Sequence, residues 1–210
     1  MKSPRLTASL TVLALGLTLS ACSSMEGSKT AAAPAPAPKD GELNLPANYT
    51  AWPVFMRDIQ RTDLKQIRDI YVNQVGTRTR AGEAFPNGTW FVMEIHSVKL
   101  NADGSPALDS AGKMSKDKLS RVFLMAKGAG WGDSVPAALK NGDWIYTAFE
   151  GSGTRSSPDQ SSCRACHLPL ASKDYVFHYD AYFQQRAAAD TAPLTPLTPA
   201  QAQSAAHRAY

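Results

Sequence analysis

From Trp52 onward, apolar and β-branched residues come in short runs broken by turn-forming residues, the rhythm of antiparallel strands rather than of long helices. The runs predict strands near Trp52–Asp58, Gln66–Asn73, Thr89–Leu100, Leu119–Lys127 and Trp144–Glu150. Pro86-Asn87-Gly88 turns the chain into the third strand, and Asn101-Ala102-Asp103-Gly104 closes it. A polar connection follows over Asn101–Lys118. A second, Gly128–Gly142 around Trp131, has room for a short helix over Val135–Lys140. After the fifth strand, the loop Gly151–Ser162 leads into a short helix over Cys163–Leu168 and a longer one near Tyr179–Ala188. The expected fold is α+β, mostly antiparallel sheet with terminal helices. Alternation along the third strand puts Phe91, Met93 and Ile95 on one face and His96 on the other, while Phe123 and Met125 share a face of the fourth.

The ends of the chain read differently. Lys2 and Arg5 precede an apolar run from Leu6 to Leu19, about 14 residues where a membrane-spanning helix needs about 20. Leu19-Ser20-Ala21-Cys22 then resembles a bacterial lipobox, so residues 1–21 are expected to be a cleaved secretory signal and Cys22 a lipidated first residue. Ser23 after that cysteine fits outer-membrane sorting, which predicts an exported lipoprotein on the periplasmic side. The segment 22–42 contains Ala33-Pro34-Ala35-Pro36-Ala37-Pro38, an extended spacer that cannot bury a core. The folded domain is expected over 43–188, beginning where Leu43 and Leu45 restore apolar side chains. Residues 189–210 are expected to be a disordered tail with some helical tendency over Ala200–Arg208. The formal net charge is +4, but Lys2 and Arg5 would leave with the signal, and no basic patch interleaved with aromatics appears. No nucleic-acid partner is therefore expected.

Chemistry concentrates at Cys163-Arg164-Ala165-Cys166-His167, which reads C-x-x-C-H. Two thiols three residues apart lie on one side of a helical turn and can reach the two vinyl groups along one porphyrin edge. The adjacent imidazole then sits under the iron. A thioredoxin-like dithiol would want an α/β context, and a structural zinc site would want two further ligands at short spacing; no other cysteine lies near, and His178 alone cannot complete one. One covalently bound haem c is the expected cofactor. With Cys22 lipidated and Cys163 and Cys166 on haem, no cysteine is left for a structural disulfide.

The order of motifs along the chain is Leu45-Pro46-Ala47-Asn48-Tyr49 with Trp52, then Ile67-Arg68-Asp69-Ile70-Tyr71-Val72, Pro86-Asn87-Gly88-Thr89, and the C-x-x-C-H with Lys173-Asp174-Tyr175-Val176-Phe177 behind it. This order resembles the cytochrome P-460 family, which includes the cytochromes c′-β, over Leu43–Arg186. The resemblance implies thioethers at Cys163 and Cys166, a proximal iron ligand at His167, and an arginine, Arg68, near the haem or its propionates. It also marks two departures. Hydroxylamine-oxidising members carry a lysine bonded to the porphyrin edge, and that position here is Met93. Lys99, six residues on at about 3.3 Å per residue, is roughly 20 Å away and cannot substitute. Those members also carry a carboxylate just after the C-x-x-C-H, where this chain has Leu168-Pro169-Leu170. What remains is an apolar distal pocket around Phe91 and Met93. It suits a small gaseous ligand, nitric oxide first among them, and a binding protein rather than an enzyme. The alternatives are hydroxylamine oxidation, and electron transfer to a partner protein with Met93, Met125 or a histidine as sixth iron ligand. A homodimer stays open.

Overall fold

The computed structural model describes residues 36–191, so the signal, Cys22, most of the spacer and the tail beyond Thr191 lie outside the described residues. Five strands, β1 (Val54–Arg61), β2 (Gln66–Val72), β3 (Trp90–Val98), β4 (Lys116–Lys127) and β5 (Trp144–Glu150), form one sheet in sequence order. Every neighbouring pair is antiparallel. Two α-helices follow, α1 (Ser161–His167) and α2 (Tyr179–Thr191). The expected mostly antiparallel α+β fold is what forms.

The differences from the expected elements have local causes. β1 starts two residues late because Tyr49–Ala51 forms a 3₁₀ turn before Pro53. It then runs on to Arg61, because Asp58 is absorbed in an irregular stretch of the ladder with a left-handed backbone, φ 55°, instead of ending the strand. β4 begins at Lys116, where that residue pairs with Val98, so the polar connection is shorter than expected. The helix expected over Val135–Lys140 is a single 3₁₀ turn, Ala137–Leu139. α2 continues to Thr191 through Ala187-Ala188-Ala189, good helix formers with no breaker among them.

In register across β2 to β5, three rungs share one face of the sheet: Val72–Phe91–Met125–Tyr146, Ile70–Met93–Phe123–Ala148 and Arg68–Ile95–Arg121–Glu150. The face is apolar at one end and charged at the other. Phe55, Phe85 and Trp144 pack over the apolar end with Tyr179, Tyr182 and Phe183 of α2. Ring centroids are 4.2 Å apart for Phe55 and Tyr182 and 5.0 Å for Phe85 and Phe91. Such pairs add about 0.5–1.5 kcal/mol each beyond their buried area. The opposite face, with Val92, Val122, Leu124, Ile145 and Phe149, is covered by Leu43, Tyr49 and the partly buried Trp52, Trp90 and Trp131. There the buried Glu94 accepts from the Tyr49 hydroxyl at 2.8 Å and from Tyr71 at 3.4 Å, with His96 Nε2 at 3.8 Å.

The free edge of β5 is not left open. The Gly41 N–H donates to the Tyr146 carbonyl at 2.7 Å, and the Tyr146 N–H donates to the Asp40 carboxylate at 2.9 Å. The chain is thus tied in from Asp40, three residues before Leu43. Gly41 is required there: its φ is 78°, and a Cβ would meet the Pro158 backbone at 2.7 Å.

Candidate functional site

A cavity of about 410 Å³ lies between the first sheet face on one side and α1 with Val176–His178 on the other. Helical spacing puts Cys163, Cys166 and His167, at i, i+3 and i+4, on one face of α1, and all three line the cavity. Arg164 lies on another face and points into the protein, where it is 2% exposed. Its Nε and Nη2 donate to Asp40 at 2.5 and 2.9 Å, Nη2 also reaches the Trp144 carbonyl at 3.1 Å, and the guanidinium lies over the Tyr146 ring. One ion pair therefore fixes α1 against β5. The Cys163 thiol is half-buried and Cys166 exposed, and both are free of disulfide. Burial pushes the Cys163 thiol up.

His167 is held in one tautomer. Its Nδ1 lies 2.6 Å from the Tyr175 carbonyl oxygen, and since a carbonyl only accepts, Nδ1 carries the proton and Nε2 keeps the lone pair. Burial lowers the imidazole pKa against the opposing pull of that hydrogen bond, which favours the neutral form that a metal ligand needs. The Phe177 and Tyr146 rings flank it at 4.9 and 5.2 Å. The acceptor sits in an unusual turn, Asp174 and Tyr175 both having left-handed backbones with φ 50° and 62°.

The opposite wall is formed by Phe55, Ile59, Ile70, Phe91, Met93, Phe123 and Met125. Arg61, Arg68 and His178 also line the cavity, within electrostatic reach of one another. Arg68 donates through Nη2 to Gln66 at 3.2 Å, but its buried Nε has no partner among the described residues, and neither has the buried Tyr146 hydroxyl. Burial, then the Arg61 charge, lowers the Arg68 pKa; burial, then Arg68 and Arg61, lowers that of His178. Buried donors without acceptors are costly, so an acceptor belonging in the cavity is implied. A haem fits these residues: a flat apolar ring for the wall, two vinyl groups for the thiols, an iron for Nε2, and carboxylates for the unpaired donors.

The structure brings together Cys163, Cys166, His167, Arg68, Phe91 and Met93, with Phe123 and Met125 beside them. Met93, half-buried between Ile70 and Phe123, faces the cavity from the cross-linking position. Ile95, expected on the haem side, shares the face but does not line the cavity: it is buried in the charged rung between Arg68 and Arg121, and of that rung only Arg68 reaches the cavity. His96 lies on the other face. Lys99 is past the end of β3, its N–H bonded to the Ser115 carbonyl. Leu168–Leu170 lie in a 3₁₀ segment outside the cavity. The sequence reading missed Phe55, Ile59, Arg61, Tyr146 and Phe177, and it set His178 aside. Tyr146 gave no signal in alternation, because β5 is buried at every position but its last. Phe55, Ile59 and Arg61 lie on β1, whose irregular ladder breaks simple alternation, and Phe177 lies in the turn between α1 and α2.

No curated protein matches the chain. The family model for Cytochrome P460 matches residues 46–178, a span that takes in the whole sheet, α1 and the turn that holds His167. The chain belongs to the cytochrome P460 family, a family of haem-binding cytochromes.

Proposed function

We propose that this protein carries one covalently bound haem c and binds small neutral diatomic gases, nitric oxide first among them. Cys163 and Cys166 would hold the haem through thioethers, each thiol S–H adding across one vinyl double bond, so that sulfur and hydrogen would both come from the cysteines and no external oxidant would be needed. When bound, the group would supply an iron able to take the gas. His167 Nε2 would hold the iron, oriented by the bond from Nδ1 to the Tyr175 carbonyl. Phe55, Phe91, Met93, Phe123 and Met125 exclude water and offer no proton. Arg68 would hold a propionate. The observation that carries the reading is the combination of a His167 with Nδ1 tied to a carbonyl, an apolar facing wall and no carboxylate among the described residues that line the cavity. The leader, lipobox and spacer support an exported, lipid-anchored protein on the periplasmic side.

A second reading, hydroxylamine oxidation, is favoured by one observation. His178 lines the cavity with a lowered pKa, and a neutral imidazole can take a proton. Spectral titration of the ferrous protein with nitric oxide, beside hydroxylamine turnover with an artificial acceptor, tests the two. Tight gas binding with background turnover is expected. Steady turnover abolished by both His167→Ala and His178→Asn would establish the enzyme instead; asparagine suits the left-handed backbone at that position, φ 60°.

A further inference from the structure

We propose that Lys127 and Asp174 are positioning residues for the axial histidine, setting through the Tyr175 carbonyl how strongly His167 donates to iron. The inference rests on the reading of His167 as the iron ligand. The hydrogen bond that fixes the imidazole ends on a backbone oxygen, so no change of the Tyr175 side chain removes it directly. The protein's hold on it lies in the backbone of the turn.

That backbone is in a costly state. Two consecutive non-glycine residues, Asp174 and Tyr175, have left-handed conformations, which persist only where the surroundings enforce them. The enforcement comes from the Asp174 side chain. Its carboxylate accepts the Phe85 N–H at 2.8 Å and the Lys127 ammonium at 3.0 Å through both oxygens. Lys127 also donates to the Phe85 carbonyl at 2.9 Å and lies over the Trp144 ring at 5.4 Å. The pair is largely shielded, with side chains 14% and 12% exposed, so the contact is little screened. Lys127 is the last residue of β4 and is paired with Trp144. The turn is therefore hung on the rigid end of the sheet, and the Tyr175 N–H and Asp174 N–H close it onto the Leu170 and Ala171 carbonyls.

The chemical consequence follows from the acceptor. A close carbonyl at Nδ1–H gives the imidazole partial imidazolate character, makes Nε2 a stronger donor and favours the ferric state. Loosening the turn should weaken that bond without touching any atom that contacts the haem.

The test is resonance Raman of the ferrous holoprotein for the iron–histidine stretch, with the reduction potential measured on the same samples. Asp174→Ala and Lys127→Gln are both expected to lower the stretching frequency and raise the potential. Asp174→Asn keeps an acceptor for the Phe85 N–H and a side chain that tolerates the left-handed region, and is expected to return most of the wild-type frequency. If Asp174→Ala does not fold, Lys127→Gln carries the comparison. Asp69→Asn, which breaks the Lys116–Asp69 ion pair on the other face of β2 from Arg68, serves as control and should leave both readouts unchanged. Wild-type values in the folded Asp174 and Lys127 variants would overturn the inference alone, as would an equal shift in the control. A wild type without an iron–histidine band would overturn the axial-histidine reading itself.

Discussion

Removing the carboxylate of Asp40 should destabilise the protein far more than its position in a spacer-like stretch suggests. Arg164 is 2% exposed and Asp40 22% exposed at the side chain. Asp40→Ala leaves a buried guanidinium facing an empty site and also strips the Tyr146 N–H of its acceptor. Breaking one side of a fully buried pair costs about 3–5 kcal/mol. Here water can reach the Asp40 side, and Arg164 keeps the Trp144 carbonyl, so about 2–3 kcal/mol is the reasoned loss. For a domain of this size that corresponds to roughly 5–10 °C in melting temperature. Urea and thermal unfolding of the holoprotein, followed by far-ultraviolet circular dichroism, would measure it, with an unchanged urea slope as the sign that stability alone has moved. The double variant Asp40→Leu, Arg164→Met removes both charges and should recover much of the loss. The reasoning fails if Asp40→Ala is no worse than Asp180→Ala, which breaks the exposed Lys173–Asp180 pair, or if the double variant loses the sum of the single changes.

Three further outcomes are expected. Cys163→Ala and Cys166→Ala should each weaken haem retention through denaturing electrophoresis, and the double variant should lose it; free extraction of haem from the wild type into acidic acetone would refute thioether attachment. At Asp69, burial pushes the carboxyl up, but the Asp58 N–H at 2.9 Å and the Lys116 ammonium outweigh it, and the pKa lies below the ordinary range. A native pKa below the unfolded one contributes stability that is full above about pH 4 and is lost as pH falls through the native value, so Asp69→Asn should flatten the acid limb of stability against pH. An acid limb as steep as that of the wild type would contradict this. Cys22→Ala should shift the protein from membranes to the soluble fraction, and continued membrane attachment would mean that the leader itself is the anchor.

The parts of the fold legible in the sequence are those where pattern and pairing agree. β5 has the expected ends because Trp144 and Glu150 stand between Gly142 and Gly151, and the strand between them is almost wholly buried. β1 was less legible because its limits depend on partners elsewhere. Asp58 looks like a strand terminator, yet its N–H bonds to the Asp69 carboxylate on β2, and the strand passes through it. Asp40 was hidden for a related reason: beside an alanine–proline run it reads as spacer, and only the edge of β5 and the inward face of α1 give it work. Local composition cannot reveal a contact made across 124 positions.

The site divides along the same line. The thiols and His167 were legible because their chemistry needs a fixed spacing on one helical turn, and a spacing is something a sequence displays. The wall was half legible, since alternation identifies Phe91 and Met93 as neighbours but not which face receives the cofactor; Ile95 obeyed the alternation and still fell beyond the cavity. The acceptor for His167 was not legible. A backbone carbonyl carries no residue identity, and what places it is a pair of left-handed residues secured from β4 by Lys127, a lysine that in sequence merely ends an apolar run. The side chains that contact the haem and those that tune its ligand therefore leave different traces. The first are marked by residue type, the second by conformation, and on the proposal for Lys127 and Asp174 a substitution that spares every cavity-lining residue would still alter the iron.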